Sequence, residues 1–565
     1  MTRRDRFVVT ALVAVFAVVG VAMTMPATAP LTAPQVSLIP SVPYREGIVS
    51  HPSSITPLTA RTQADRDIVA LLFRGLLHAG PDGTLLPDLA RSWSVSQDGK
   101  DYTFLLRDDA YWEDGQPVTS ADVVFTVGLL QDSSYSGPLG ASWQRITVTA
   151  DSSDLVRFHL QTPMAGFLRQ ATLPLLPQRM LHGTSVSELA DSDFSSRPVG
   201  DGPFRLLEVD ASHAVLQRVR SVTPALGPLG TFSPSAGQAT PPSLVGAGGV
   251  NDLEMFFFDD SAAAAAQFKA DELDAVGGLT PEAIDSAMAM SGSSLIGYPM
   301  ANLTGVVLNQ RPGTEFRDPN VRLGLLSAID RTALLKNVLE GRGSVAQVPI
   351  PEWSKTWYDV TAVRVVAFDT SAAASYLTAA GWKRGATGWT LPKATTPYAL
   401  KLLTPDEATN PVLYRTAVAV ASFWRAIGLD VTLVVATSQD YVQQLSDGKF
   451  SAAVVDFELG LDPDLSPILH SSQASTGGSN VSGIQDTNLD HLLQMAQQAI
   501  SKGDRQNAVS AVEKYISANL PILSLCFNDY NFVVGSRVRS IDPNDIADPS
   551  GRYWDVIDWR LASDG

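Results

Sequence analysis

The chain has 565 residues, with 58 acidic against 41 basic side chains and a formal charge of −17. That length exceeds what one hydrophobic core serves, so two or three domains are expected. The charge excludes nucleic acid as a partner, because phosphate-backbone binding needs Lys and Arg clusters that release condensed counterions, and no basic run occurs beyond the N-terminus. The single cysteine, Cys526, excludes an internal disulfide, a Cys-based zinc site and a dithiol redox pair; its apolar setting, LPILSLCFNDY, predicts a buried inert thiol.

MTRRDRFVVTALVAVFAVVGVAM joins an Arg-rich start to an apolar run from Phe7 to Met23, and PATAP follows. This is the pattern of an export signal. Ala27 and Ala29 fit a cleavage site and Pro30 opposes it, while the run is nearly long enough to span a bilayer. A cleaved signal peptide and a membrane anchor over residues 1–25 both stay open. Residues 26–43, rich in Pro, Ala and Thr, read as a tether. The remainder is placed outside the cytoplasm.

Alternation predicts strands at Tyr102–Leu106 and over DLVRFHL, residues 154–160. Between them, YWEDGQPVTSADVVF turns at Asp114 and Gly115. Thr119 then caps a helix with Asp122 reaching back, and Ala121, Val124, Phe125, Gly128 and Leu129 fall on one face. Glu113 and Asp114 read as solvated turn residues rather than an acid/base pair. Residues 221–250, nearly uncharged and rich in Gly, Pro, Ser and Ala, read as a long surface excursion. Their GAGGVN lacks the G-x-G-x-x-G spacing of a dinucleotide loop.

From Asn302 onward strands and helices alternate. Asp318 with Pro319 starts one helix, and Asp330 starts another that stops at Gly341. Asp369 starts a third, ending at Gly381. Asn410 and Pro411 open a long helix ended by Gly428, and LDVTLVV follows as a buried strand. A helix from Ser438, the strand FSAAVVDF, helices at Asp490–Ile500 and Asp504–Ala518, and the strand PILSLCF complete the order. This texture predicts βαβ units in a mixed sheet with helices on its faces.

Enzyme chemistry lacks its spacings. Histidines 51, 78, 159, 182, 213, 470 and 491 form no H-E-x-x-H and no close pair, so no metal site is expected. No P-loop and no G-x-S-x-G elbow occur. Acid pairs such as Asp108 with Asp109, or Asp462 with Asp464, are chance neighbours among 58 acids. Neither a catalytic residue nor a cofactor is expected.

Recognition is a better use for what remains. Trp353 and Trp357 lie on a proline-punctuated loop, PIPEWSKTWYD, where a ring can wall a pocket. AVVDFELGLDPDLSPILH ends a strand in a polar loop, and in open α/β sheets ligands settle beyond the carboxyl ends of strands. Asp456, Phe457, Glu458 and Asp462 are candidates there, since a carboxylate holds an ammonium group by charge-assisted hydrogen bonds. Asn480 in GGSNVSG, Ser54 in SSITPL and Asn309 complete the candidate contacts.

Several segments, in order, resemble the extracytoplasmic solute-binding proteins of ABC importers, the oligopeptide, dipeptide and nickel type called family 5. They are SSITPL, LLFRGLLHAGPDGTLLPDLARSWSVSQDGKDYTFLLRDDAYWEDGQPVTSADVVFTV, PVGDGPFRLLE, FRDPNVRLGLLSAIDRTALL, AASYLTAAGW, the Asp462–Asp464 DPD, SNVSG, LDHLLQMA and LPILSL. The resemblance runs from about Val42 to about Val534. It implies an α/β, two-lobed periplasmic-binding-protein-like fold of the large type II cluster, with mixed sheets and a hinge. Lobe one would comprise 44–305 plus 520–565, with an inserted subdomain at 93–195 and the insert at 221–250; lobe two would span 306–519. The implied function is capture of a small solute, a short peptide, and its delivery by a monomer to a membrane permease. Closure follows because the ligand contacts both lobes. The Asp that holds the peptide amino terminus in dipeptide-type relatives, three residues before DPD, is replaced here by Leu459, and the tryptophan of that loop is missing, with Phe457 the nearest aromatic. A non-peptide solute, or a membrane-anchored sensor that keeps the fold, are the alternative readings.

Overall fold

The computed structural model describes residues 42–80, 83–135, 140–219, 249–475 and 477–562. The leader, nearly all of the tether and the excursion at 221–248 lie outside them. Eleven strands form the central mixed sheet. In chain order these are β1 (Tyr44–Ile48), β2 (Phe204–Val209), β3 (His213–Arg218), β4 (Asp252–Phe257), β5 (Ala275–Gly277), β6 (Ser294–Leu308), β7 (Gly343–Val345), β8 (Ala399–Pro405), β9 (Asp430–Ala436), β10 (Ala452–Glu458) and β11 (Leu523–Val534). Across the sheet they run β9-β8-β10-β6-β11-β5-β1-β4-β3-β2, with β7 paired to β11 off this path. β8 is parallel to both β9 and β10, and β1 to both β4 and β5, whereas β6 is antiparallel to β10 and β11.

The two longest strands, β6 and β11, carry the chain between two hydrophobic cores. Tyr298 and Met300 of β6 pack with Tyr530, Phe532 and Val534 of β11 in the first core. Val306 and Leu308 pack with Leu523, Leu525 and Cys526 in the second, together with Leu326 and Trp424. Pairing slips between Pro299 and Leu303, where one core gives way to the other. An antiparallel ribbon with a register irregularity bends more readily there than within either core. Cys526 is buried, and burial pushes its thiol up to about 12, so it stays protonated.

The local signals for helix starts hold. Asp318, Asp330, Asp369 and Asn410 each accept a first-turn amide, with Pro319 and Pro411 inside the first turn. LDVTLVV differs from its prediction: as β9 it closes the edge of the sheet and is half exposed rather than buried. An apolar run does not tell an edge strand covered on one face, here by the helix Pro411–Ala426, from a fully covered one.

A four-stranded antiparallel sheet, in the order Ala90–Val95, Asp101–Leu106, Leu155–Leu160, Ile146–Ser152, packs with the helix Ser120–Gln131. The capping box of Thr119 and Asp122 forms. The buried face of that helix is rotated in part from the predicted one: Leu129 is covered as predicted and Val124 and Phe125 are half-buried, but Asp122, Val123, Thr126, Val127 and Leu130 are covered too, whereas Ala121 and Gly128 are exposed. The reason is polar. Asp122 accepts the amides of Thr119 (2.8 Å) and Gln178 (2.8 Å) and the buried Trp112 indole N–H (3.4 Å), while Thr126 accepts the amide of Leu176 (2.9 Å). These bonds turn one edge of a nearly all-apolar helix inward. Asp114 pairs with Arg179, and Glu113 is half buried. Replacing Asp122 with Ala removes a cap and orphans two buried donors, so a loss of about 2 kcal/mol is expected from the shift in urea midpoint. A loss below about 0.5 kcal/mol would show that water replaces the carboxylate.

Candidate functional site

β10 delivers the chain into the loop 459–465 at the junction of the two cores. Leu459 donates its amide to Ala301 O (3.0 Å) beside the register slip of β6. Asp462 then accepts Arg505 Nη2 (2.6 Å) and the amide of Asp464 (3.1 Å). Asp464 accepts the amide of Ser466 (2.9 Å) and Gln497 Nε2 (3.1 Å). The Asp-Pro-Asp turn is thereby stapled to the helices Thr487–Gln498 and Lys502–Asn519. Arg505 in turn lies 4.9 Å over the Trp357 ring, a cation–π contact that fixes the tryptophan loop.

A shallow recess, partly open to solvent, lies between these loops. Pro349, Pro351, Trp353, Trp357, Leu459 and Leu461 form most of its wall, with Asp462 at one side. Residues packed with the first core reach the same place. Ala165 donates its amide to Gln497 O (2.7 Å), and Ile500 covers Gly99 so closely that a Cβ there would stand 2.9 Å from it. A Cβ on Gly166 would stand 3.2 Å from Asp462 Oδ2. Arg169 donates to Gly83 O (2.6 Å); burial lowers its pKa, with the charge of Asp462 opposing that fall and Arg505 adding to it. Among the described residues Arg505 alone pairs with Asp462, and Arg169 lies close enough to feel the charge of both.

The sequence candidates fall into three groups. Trp353 and Asp462 stand at the recess. Asp456 and Glu458 share one face of β10, opposite Phe457, which packs half buried among Leu303, Phe527 and Val455. Thr304 donates to Asp456 and Asn528 donates to Thr304 (2.9 Å), a chain that crosses β10, β6 and β11. Burial, with the charge of Glu458 adding to it and the Thr304 bond opposing, pushes the Asp456 carboxyl up to about 6. Ser54, Asn309 and Asn480 form the third group, each buried and committed to its own surroundings. Ser54 bonds Asp65 (2.9 Å) and Thr59 (2.6 Å). Asn309 donates to Gly448 O (3.0 Å) and Phe450 O (2.9 Å). Asn480 donates to Leu469 O (3.2 Å), His470 O (3.2 Å) and Ile484 O (3.0 Å) and accepts Ser482 Oγ (2.8 Å). The wall residues Pro349, Pro351 and Leu461, with Gly166, Arg169 and Arg505, were not among the candidates. The prolines and leucines flanking the two loops were the visible signal for the wall; the Asp462–Arg505 pair, 43 residues apart, had none. Among the described residues, no group of three or more His, Cys, Asp or Glu gathers to hold a metal.

Two cores joined by a pair of long crossing strands, with segments from each meeting at Asp462 and Gln497, define a two-lobed solute-binding fold. The model of the bacterial extracellular solute-binding proteins, family 5 (middle region), matches residues 84–480, and the chain belongs to that family. The oligopeptide-binding protein AppA of Bacillus subtilis is 23% identical over 523 residues, covering 91% of each chain. Di/tripeptide-binding protein 1 of Pseudomonas aeruginosa is 24% identical over 500 residues, covering 83% of this chain and 86% of that one. The solved structure of B. subtilis AppA with a nonapeptide superposes with a TM-score of 0.72 at 20% identity, and that of NikZ from Campylobacter jejuni with Ni(L-His) with a TM-score of 0.73 at 20% identity; each comparison covers 92% of this chain and 99% of the other. The chain is thus a binding protein that acts outside the cytoplasm, and not an enzyme. Among the described residues no helix is long and apolar enough to cross a membrane.

Proposed function

We propose that the chain is the solute-binding subunit of an ABC importer, capturing short peptides between two lobes and passing them to a membrane permease. Lobe one comprises 44–305 plus 520–565, with its subdomain at 93–195, and lobe two 306–519; the first 25 residues serve export or hold the protein at the membrane. It acts as a monomer. The observation that carries this reading is the approach of Ala165 and Gly166 to Gln497 and Asp462, because a solute lodged between those segments touches both lobes and favours the closed state. β6 and β11 are the hinge, bending near Pro299 and Leu303, where their pairing already slips. The peptides named for AppA and the di/tripeptide-binding protein support the choice of solute.

Mass spectrometry of solute released from the purified protein is expected to return short peptides. A bound peptide at 100 times its Kd is expected to raise stability by about 2.7 kcal/mol, read as a thermal shift. No released peptide, together with no shift from pools of di- to octapeptides, would sink the reading.

A further inference from the structure

β5 leads into the helix Pro281–Met288, which falls in lobe one and packs Ala283, Ile284 and Ala287 with Val276 and Val533. β8 leads into the helix Pro411–Ala426 of lobe two, whose Leu413, Ala417 and Val420 belong to the second core. Glu282 and Asp285 stand three residues apart on the first helix, and so on one face of it. Arg415 of the second helix donates to Glu282, and Arg342, just beyond the helix Arg331–Leu339, places Nη2 2.8 Å from Asp285 Oδ1. Two ion pairs thereby cross from one lobe to the other. They leave from a different part of lobe one than the subdomain contact of Ala165 with Gln497.

Glu282 and Arg415 follow the carboxyl ends of β5 and β8, the ends beyond which solutes settle in open α/β sheets, so their pair spans the cleft. Each arginine also has an acid of its own lobe. Arg342 bonds Glu340, and Arg415 Nε lies 3.5 Å from Glu407 Oε1 in the loop after β8. When the lobes part, the arginines keep these partners, whereas Glu282 and Asp285 have no other ion pair among the described residues. Opening is then an exchange of partners that strands no cation. Arg342 is largely covered and the other three side chains are exposed, so the pairs are individually weak and open to screening by salt. Two such pairs move a closed-to-open ratio about 2- to 30-fold, enough to bias a hinge and too little to lock it.

We infer that Glu282 and Asp285 form, with Arg415 and Arg342, an ionic clasp that draws the two lobes together before any solute enters and loosens as the salt around the protein rises. Both sides of the clasp are protein groups, so closure does not wait for the solute, which adds its own contacts to a closed state already populated. The inference rests on the two-lobed reading above and deepens it.

The test is single-molecule energy transfer in the full chain, dialysed free of solute, between dyes on Leu207→Cys in lobe one and Val442→Cys in lobe two. Both positions are exposed, and Cys526 is buried and stays unlabelled. Two states are expected, and Glu282→Gln with Asp285→Asn is expected to lower the closed-to-open ratio about 2- to 30-fold. Glu340→Gln with Glu407→Gln, which removes the arginines' partners in the open form, is expected to raise it. Raising the salt from about 0.01 M to about 1 M shortens the Debye length from about 30 Å to about 3 Å, and is expected to open the parent and erase its difference from Glu282→Gln with Asp285→Asn. Two states whose ratio neither the variants nor salt moves overturn the clasp and leave the hinged reading standing. One transfer efficiency for every variant at both salts overturns the hinged reading, and the clasp with it.

Discussion

Replacing Arg552 with methionine is expected to lower the unfolding free energy by about 3–5 kcal/mol, the usual cost of breaking a buried ion pair on one side. Arg552, Glu46 and Asp67 are each fully buried. Nη2 of Arg552 lies 2.6 Å from Glu46 Oε1 and 2.7 Å from Asp67 Oδ2, Nε lies 3.0 Å from Glu46 Oε1, and Nη1 lies 2.9 Å from Asp67 Oδ1. Three distant parts of the chain are joined this way: β1, the helix Gln63–Leu72 and the C-terminal segment. Tyr44 donates to Glu46 (2.7 Å) and Gln63 to Asp67 (2.8 Å), so the remaining lone pairs are largely answered. The guanidinium also lies 4.1 Å from the Tyr553 ring centroid and 5.4 Å from that of Tyr530. Burial raises the Asp67 pKa even though Arg552 and Gln63 pull it down. Without Arg552 two buried carboxylates lose their cation, and both must take up protons or water. The triple variant Glu46→Leu, Asp67→Leu, Arg552→Met is expected to recover most of the loss, because a matched apolar replacement removes the desolvation cost together with the pair. Urea unfolding of the single and triple variants is the measurement. A single variant within about 1 kcal/mol of the parent would mean that water reaches the cluster.

Signals that act within one turn of chain were legible in the sequence, and signals that act across the fold were not. Asp318, Asp330, Asp369 and Asn410 mark helix starts because an N-cap binds amides two or three residues away, and Thr119 does so because Asp122 reaches back to its amide. The inward face of the helix Ser120–Gln131 was misread in part because Asp122 and Thr126 are anchored by Gln178 and Leu176, more than 45 residues downstream. β9 was read as buried because edge position is a property of strand order, which periodicity does not encode. At the site the same division holds. Trp353 and Asp462 were singled out on loops that the strand pattern exposes, and both stand at the recess. Ser54, Asn309 and Asn480 are polar loop residues whose groups bond within their own surroundings. Composition alone does not separate a polar group that shapes a loop from one left free for a ligand. Arg505, which holds Asp462 in place, sits on a helix with an ordinary surface pattern, and only folding makes it a neighbour.

The stability of the protein is expected to fall as pH rises from about 4 to about 8, and two buried acids set the upper end of that window. Asp201 accepts the amide of Arg74 at 2.9 Å and leaves its second oxygen buried without a partner. Burial pushes its carboxyl up to about 8, against the opposing pull of the Arg74 charge and amide. Glu513, fully covered beneath the loop at Asp359, accepts one amide (3.0 Å) and likewise has one oxygen without a partner. Burial, with the charge of Asp359 adding to it and the amide opposing, pushes Glu513 up to about 8. In the unfolded chain such groups titrate near 4. Between the two values the folded protein holds protons that the unfolded chain has released, so the derivative of unfolding free energy with pH is negative. The contribution is fully present below about pH 4 and is lost as pH rises through about 8, at about 1 kcal/mol per pH unit for each group. Carboxylates held low, such as Asp65 with its five donated hydrogen bonds from Ser53, Ser54, Arg61 and Thr62, act with the opposite sign only at the acid end. Asp201→Asn and Glu513→Gln copy the protonated form without its titration. Each is expected to match the parent at pH 5, to flatten the decline above it, and to be more stable than the parent at pH 9 by at least about 2 kcal/mol in urea unfolding. An unchanged slope in both variants would mean that these two acids ionise freely in the folded state, and that the pH response arises elsewhere.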